Sequence, residues 1–259
     1  MGPPAQIEPD QPPADGVLRG WPARWSVRVV DEIDSTNSAL VAEADRAAVG
    51  SGPPDRSVLA ARYQSAGRGR LDRRWEAPPG ANLLVSILFM DPPPNPIELT
   101  QRVGLAAIDA CHEIAGVAAV LKWPNDLLLD GAKLAGILAQ TTTSGAVVVG
   151  LGLNVGWAPP DAARLVDHAP GSDPLDVLAA LLVAYDRLPA DISARYRAVL
   201  DTLGRRVRVE RPAGDIVGRA LEVGDDGALM VLDECAVTHR VDIGDVIHLR
   251  DHPVTPEAD

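Results

Sequence analysis

The sequence predicts an α+β chain: a mixed β-sheet with flanking helices up to about residue 200, followed by a small all-β barrel. Three observations predict it. Through the first part, runs that alternate with a two-residue period interchange with runs of helical period. After Gly204 the texture changes to five short alternating runs in under 50 residues, punctuated by Gly and Asp-Gly turns. Of the 259 residues 46% are hydrophobic and 23% charged, which supplies a core and excludes gross disorder even at a net charge of −12.

Residues 1–24 carry Pro3, Pro4, Pro9, Pro12, Pro13 and Pro22 with little apolar material between them, and read as a flexible tail. Ser26 to Ile33 alternates as a strand. Asp34-Ser35-Thr36 then offers capping side chains to a helix bearing Leu40, Val41 and Ala44. Ser57 to Tyr63 is β-rich, and Gln64 to Pro79, rich in Gly and Arg, is a long loop. Asn82 to Met90 is a buried strand. Ile97 to Gly116 is a helix with Leu99, Val103, Ala106, Ala107, Ala110 and Ile114 on one face. Short strands follow at Val120–Lys122, Leu127–Leu129, Leu134–Gln140 and Ala146–Val155, the last two joined by a turn at Thr141–Gly145. Pro174 opens a helix at its first turn, and another covers Ile192–Leu200. The later strands are Arg206–Glu210, Ile216–Val223, Ala228–Asp233, Val237–Ile243 and Val246–Leu249. The predicted divisions are 1–24, 25–202, 203–250 and a tail at 251–259.

Composition excludes several classes. A pI near 4.8 opposes nucleic-acid binding through the bulk surface. Cys111 and Cys235 are the only cysteines, so there is no disulfide framework and a reducing compartment is expected. No secretory signal is visible, and no apolar run approaches the roughly 18–20 residues needed to cross a bilayer. A soluble, cytoplasmic chain without membrane partners is expected. There is no P-loop, no G-x-S-x-G elbow and no zinc spacing. His112 beside Cys111 reads as core or helix surface.

Four constellations remain. Around Gln64 through Trp75, the stretch from Arg62 to Arg74 holds five Arg and one Asp. Gly67 and Gly69 there allow close backbone approach and an anion-binding nest, although a bare Gly-Arg loop equally suits a solvated or RNA-binding segment. Lys122-Trp123-Pro124-Asn125-Asp126 and Lys133 through Leu138 hold both lysines of the chain, against 24 basic residues in all. A compact, rotatable ammonium near a carboxylate and an Arg-rich loop is what activating an acid with a nucleotide requires. Ser35-Thr36-Asn37 is a hydroxyl and amide cluster at a strand-to-helix junction. Gly150-Leu151-Gly152-Leu153-Asn154 breaks a buried strand with two glycines, which a bulge explains; Asn154 is harder to explain structurally.

Together with Gly80-Ala81-Asn82-Leu83, these motifs in this order resemble the biotin–protein ligases, over roughly residues 25–200, and the later barrel resembles that family's SH3-like domain. The resemblance implies a class II biotin/lipoyl-ligase-like fold and a two-step reaction. Biotin and ATP give biotinyl-5′-adenylate with Mg²⁺, and biotin then passes to a lysine of a biotin carboxyl carrier domain of an acetyl-CoA, acyl-CoA or pyruvate carboxylase. It implies catalytic roles for Lys133, Arg70 and Asp126. Biotin contacts fall to Ser35, Thr36, Asn37, Gln64, Gly67, Arg68, Gly69, Arg70, Lys133, Gly136 and Leu138. ATP contacts fall to Arg70, Arg73, Trp75, Asn125, Asp126, Lys133 and Asn154. Asp126 is the candidate Mg²⁺ ligand and the group that orients the acceptor amine.

Two departures stand out. Asp72 replaces the family's usual Gly, which implies weaker ATP affinity. The short Pro-rich N-terminus replaces the winged helix of bifunctional members, which implies no DNA-binding role. The rival readings are a lipoate ligase or octanoyl transferase, which shares the fold, and a non-catalytic biotin-binding regulator.

Overall fold

The structure is a computed structural model of the chain and describes residues 20–47, 53–71, 73–211, 214–242 and 244–249. Asp72, the tail at 251–259 and most of that at 1–24 lie outside the described residues.

Two sheets organise these residues. The first has seven strands in the order β1-β2-β3-β7-β6-β5-β4. They are β1 Ser26–Ile33, β2 Ser57–Gln64, β3 Leu83–Phe89, β4 Val120–Lys122, β5 Asp126–Leu129, β6 Ala132–Thr141 and β7 Val147–Leu153. β1 and β2 pair in parallel and the other pairs are antiparallel. The parallel pair needs a crossover, which helix α1 (Thr36–Ala47) supplies. α1 covers one face of the sheet, seating Leu40 and Ala44 on Leu59, Leu88 and Val148. Helices α2 (Ile97–Ala115) and α3 (Pro174–Arg187) cover the other. β3 is buried at every residue, as a central strand between two helical layers must be.

The helices end where their sequence dictates. α3 begins with Pro174 behind Asp173, whose carboxylate accepts the Leu175 N–H at 2.7 Å. α2 ends at Gly116, in the left-handed conformation with φ 66°, its N–H donating to His112 O. Cys111 lies inside the α2 packing, where burial pushes its thiol up to about 12, while His112 is exposed. Helix α4 (Ser193–Ala198) is shorter than predicted. Its last residues leave the helix to pair with the sheet edge instead: Leu121 N–H donates to Val199 O and Asp201 N–H to Leu121 O, both at 2.8 Å. A short 3₁₀ turn at Leu165–Asp167, not predicted, is held by Leu165 N–H on Asn154 O.

The second sheet is antiparallel, with the order β11-β10-β9-β8-β12. Its strands are β8 Arg206–Glu210, β9 Ile216–Val223, β10 Leu229–Asp233, β11 Thr238–Val241 and β12 Asp245–His248. Among the described residues no ladder joins β11 to β12, so the hydrogen bonding does not close a ring. The β9–β10 turn docks on the first sheet: Trp123 Nε1 donates to Gly227 O at 2.9 Å. Nearby, Thr202, fully buried, accepts the Trp123 N–H at 2.9 Å and meets His248 Nε2 at 3.2 Å. No helix among the described residues is long and apolar enough to cross a membrane.

Burial, reinforced by the Lys122 charge, holds the His248 imidazole below its usual range despite Asp201 nearby. The unfolded chain therefore takes up this proton first. His248 contributes stability above the ordinary imidazole pKa of ~6.5 and loses it as pH falls through the folded value. Melting followed by circular dichroism should show the temperature falling between pH 7.5 and 5, and His248→Gln should flatten that slope. An identical slope in the variant contradicts the assignment.

Candidate active site

A cavity of about 540 Å³ opens over the middle of the first sheet, beneath the Gln64–Pro79 loop. Its floor is β6 and β7, and its glycines leave room rather than bend the strand. β7 pairs with β3 and β6 in continuous register through Gly150 and Gly152, so the bulge expected from the sequence is absent. A Cβ on Gly152 would lie 2.3 Å from the Trp75 indole, and one on Gly150 2.4 Å from Asn37 Oδ1. On Gly136 it would stand 3.1 Å from the far edge of the same indole. Three positions without side chains thus make a slot that holds the Trp75 ring and the Asn37 amide.

One end of the cavity is polar and uncharged. Ser35 caps α1, its Oγ accepting the Ser38 N–H at 3.4 Å. Thr36, the first residue of that helix, donates its N–H to Gln64 Oε1 at 2.7 Å. Asn37 turns inward, donating from Nδ2 to Leu138 O and Gln140 Oε1, at 3.2 and 2.9 Å. Behind them stands Ser86 of β3, fully buried, which the motif reading did not single out. The signal was present, as one hydroxyl in the otherwise apolar run Leu83–Phe89.

The other end is cationic. Both lysines line it, and Lys133 Nζ lies 2.7 Å from Asp126 Oδ1 and 5.8 Å from the centroid of the Trp75 ring. The Lys133–Asp126 contact is a close ion pair outside hydrogen-bond alignment. Trp75 Nε1 is a buried atom without a hydrogen-bond partner at the cavity, and the buried Asp126 Oδ1 is answered by the Lys133 ammonium. Unsatisfied polar atoms of this kind cost stability, and natural proteins keep them where a ligand completes them. Asn125 secures the turn, with Nδ2 on Ile137 O at 2.8 Å and Oδ1 accepting Arg70 Nη1 at 3.3 Å.

The Arg-rich loop is folded back as a small hairpin. Gly69 N–H donates to Arg73 O and Trp75 N–H to Gly67 O, at 2.7 and 3.0 Å. The nest expected at Gly67–Gly69 is therefore not free in this conformation, because the Gly69 N–H is already bonded. Gly67 is needed for a different reason: a Cβ there would lie 2.3 Å from Trp75 O. Arg68, Gly69, Arg70, Arg73 and Trp75 line the cavity, and Gly67 is not among the lining residues. Arg70 and Arg73 both reach Asp245 of β12, and Arg70 also meets Gly244 O at 3.4 Å. No local sequence signal marks Asp245, since only the docking of the second sheet brings it here.

Asn154, expected at the nucleotide, lines the cavity but has a structural explanation that the sequence did not reveal. Its amide donates to Lys133 O and Ala163 O at 3.3 and 3.0 Å, and its Oδ1 accepts from Asn82 Nδ2 at 3.3 Å. Asn82 Oδ1 in turn accepts the N–H groups of Val155 and Trp157, at 3.0 and 3.1 Å. The pair ties the end of β7 to the strand carrying Lys133. Among the described residues no cluster of three or more His, Cys, Asp or Glu forms a metal cage.

Residues 30–156 match the Biotin/lipoate A/B protein ligase family and residues 202–249 the Biotin protein ligase C terminal domain. A biotin–[acetyl-CoA-carboxylase] ligase of Mycobacterium tuberculosis is 40% identical over 254 residues, covering 91% of this chain and 92% of that protein. The chain belongs to the biotin–protein ligase family. The fold agrees. The Aquifex aeolicus biotin protein ligase in complex with biotin and ATP superposes with a TM-score of 0.70 at 24% identity, covering 87% of this ligase and 99% of the other chain. The Leishmania major enzyme in complex with biotinyl-5-AMP gives 0.60 at 21% identity, over 84% and 99% of the two chains.

The glycine slot makes one requirement of this ligase testable. Gly152→Ala should eject the indole, giving a red-shifted tryptophan emission and a changed near-ultraviolet dichroism with the far-ultraviolet spectrum retained. Unchanged Trp75 spectra, judged against Trp75→Phe, would show that the slot tolerates a side chain.

Proposed function

We propose that this ATP-dependent biotin–protein ligase works through the polarity of the cavity over its first sheet, and that the residues at its two ends divide the work. The observation that carries the reading is the distance-defined Lys133–Asp126 pair, set with the loop arginines opposite the uncharged Thr36–Gln64 wall. A ligand with a neutral polar head and a carboxylate tail fits this polarity end to end. Ser35, Thr36, Asn37 and Gln64 form the head site, Gly136 and Leu138 the floor, and Lys133 with Arg68 and Arg70 meets the carboxylate.

In the first step a biotin carboxylate oxygen attacks the α-phosphorus of ATP, and pyrophosphate leaves. Negative charge grows on the α-phosphoryl oxygens, where Lys133 and Arg70 stabilise it without reorganisation. Arg73 faces the departing pyrophosphate, and Trp75, already held against the sheet, offers an apolar face to adenine. In the second step the ε-amine of an acceptor lysine attacks the acyl carbon and AMP leaves, with Asp126 orienting the amine. The loop between them excludes water from a hydrolysis-prone anhydride.

Mg²⁺ fits this donor set as a nucleotide-borne ion. Asp126 offers one carboxylate, and a hexacoordinate cation that keeps waters and phosphate oxygens needs little more from the protein. Bound there it would neutralise triphosphate charge. We assign residues 25–202 to the ligand-binding domain and 203–250 to a second domain that contributes Asp245 to its rim. The acceptor of the Mycobacterium tuberculosis relative's named activity, acetyl-CoA carboxylase, makes a biotin carboxyl carrier domain the expected partner.

Incubation with Mg²⁺-ATP and an equimolar mixture of biotin, lipoate and octanoate, read by mass spectrometry, should yield biotinyl-adenylate in large excess. Dominant lipoyl- or octanoyl-adenylate would overturn the substrate, and no adenylate from folded protein would overturn the enzyme. Lys133→Ala should slow adenylate formation by on the order of 10²-fold, as loss of one preorganised cation at a charged transition state does. Its melting temperature should barely change, because the side chain is 42% exposed. Asp126→Ala should slow transfer to the acceptor at least as much as adenylation; a defect limited to biotin binding contradicts its role.

A further inference from the structure

The uncharged end of the cavity contains a chain of hydrogen-bonding groups whose protons do not match its contacts. The Thr36 hydroxyl lies 3.0 Å from Gln64 Oε1 and 2.7 Å from Ser86 Oγ, and Ser86 Oγ lies 2.7 Å from Asn37 Oδ1. Other bonds settle which way the two amides face. Asn37 uses its nitrogen on Leu138 O and Gln140 Oε1, so its oxygen faces Ser86. Gln64 accepts the Thr36 N–H, so its oxygen faces the Thr36 hydroxyl. Acceptors therefore stand at both ends, with two hydroxyls between. Three contacts share two protons.

Burial decides where the deficit falls. Ser86 is fully buried and Thr36 and Asn37 are 3% and 4% exposed, while Gln64 is only part-buried, so the Gln64 end of the chain is the more accessible one. The Ser86 proton must go to Asn37 Oδ1, because two facing oxygens there would be costly and permanent. Ser86 Oγ then accepts the Thr36 proton. All four residues border the cavity, and the contact left without a proton is the one at its more accessible side, Thr36 Oγ1 against Gln64 Oε1. A ligand N–H placed there is the missing proton.

We propose that Ser86 is a positioning residue that determines specificity: by drawing the Thr36 proton inward, it turns the Thr36–Gln64 wall into an acceptor site for an N–H donor. The inference rests on the biotin reading above and deepens it. A cyclic urea carries N–H groups, whereas a dithiolane or an alkyl end carries none and leaves two oxygens facing each other. A site built this way rejects a ligand lacking the donor far more strongly than a hydrophobic pocket distinguishes shapes. With Ala at position 86 the Thr36 proton turns to Gln64 Oε1, and the wall satisfies itself.

The test is ATP–pyrophosphate exchange by the full chain, with biotin and with its isosteric cyclic carbamates, in which one or the other urea N–H is replaced by oxygen. Wild type should prefer biotin over one carbamate by at least about 100-fold in kcat/KM, the discrimination expected when a buried polar partner is lost. Ser86→Ala should raise the biotin KM about tenfold with little change in kcat, the size of one hydrogen bond, and shrink the preference over that carbamate by a similar factor. Ser86→Cys, which keeps the volume and a weaker donor, should fall between and serves if the alanine variant does not fold. Unchanged KM and preference in the folded variant would overturn the proposal, as would a fall in kcat with the preference intact, which marks a structural role only. If wild type makes no adenylate from biotin, the biotin reading falls first and the Ser86 assignment with it.

Discussion

The register of three strands governs the site. β3, β7 and β6 pair so that Ser86 stands opposite Gly150 and Gly150 opposite Leu138, while Gly152 stands opposite Leu84 and Gly136. On one face of that ladder the floor is backbone, open to the Trp75 ring and the Asn37 amide. The intervening residues of β7, Val149, Leu151 and Leu153, join the core beneath α2 and α3. Because side chains alternate along a strand, a slip of one residue would turn large aliphatic groups into the cavity. Asn82 and Asn154 sit at the end of this ladder and tie both β7 and the Lys133 strand to it. Two buried amides thereby hold the register on which the cavity depends.

Charge is distributed with the same economy. A chain of net charge −12 concentrates Arg on one loop and both lysines on the cavity beneath it. Asp245 answers two of those arginines from the second sheet. Among the described residues, the carboxylate that meets Arg70 and Arg73 comes from a strand more than 170 positions further along the chain, not from the loop itself. These pairs are partly exposed and modest in energy. They set where the guanidinium groups rest, and a phosphate or carboxylate that approaches them meets Asp245 as a competitor.

Much of this was legible from residues in order. The periodicities of Ser26–Ile33, Ile97–Gly116 and Ile216–Val223 match their elements, because alternation and helical spacing follow from which face is buried. Lys122, Lys133, Ser35, Thr36, Gln64 and Trp75 were visible as chemistry-bearing groups, and all line one cavity. Misreadings came where a residue's reason lies across the fold. Gly150 and Gly152 suggested a bulge, yet they are there for the indole and the amide that lie on them. Asn154, expected at the nucleotide, lines the cavity and also holds main-chain carbonyls, a second role with no sign in the sequence. α4 stops early because the edge of β4 competes for its last residues.

Local spacing by itself determined most of the elements, and the ordered motifs carried the resemblance to the family that implied the chemistry, since both rest on residue types at short separations along the chain. The tertiary structure alone decided which polar atoms meet. It set Ser86 behind Thr36 and Asp245 against the arginine loop, and it committed the Asn37 amide nitrogen to Leu138 O and Gln140 Oε1. These are contacts between residues dozens to well over a hundred positions apart. Hydrogen bonds act over about 3 Å, so no periodicity encodes them, and only the packed register of the strands brings donor and acceptor into reach.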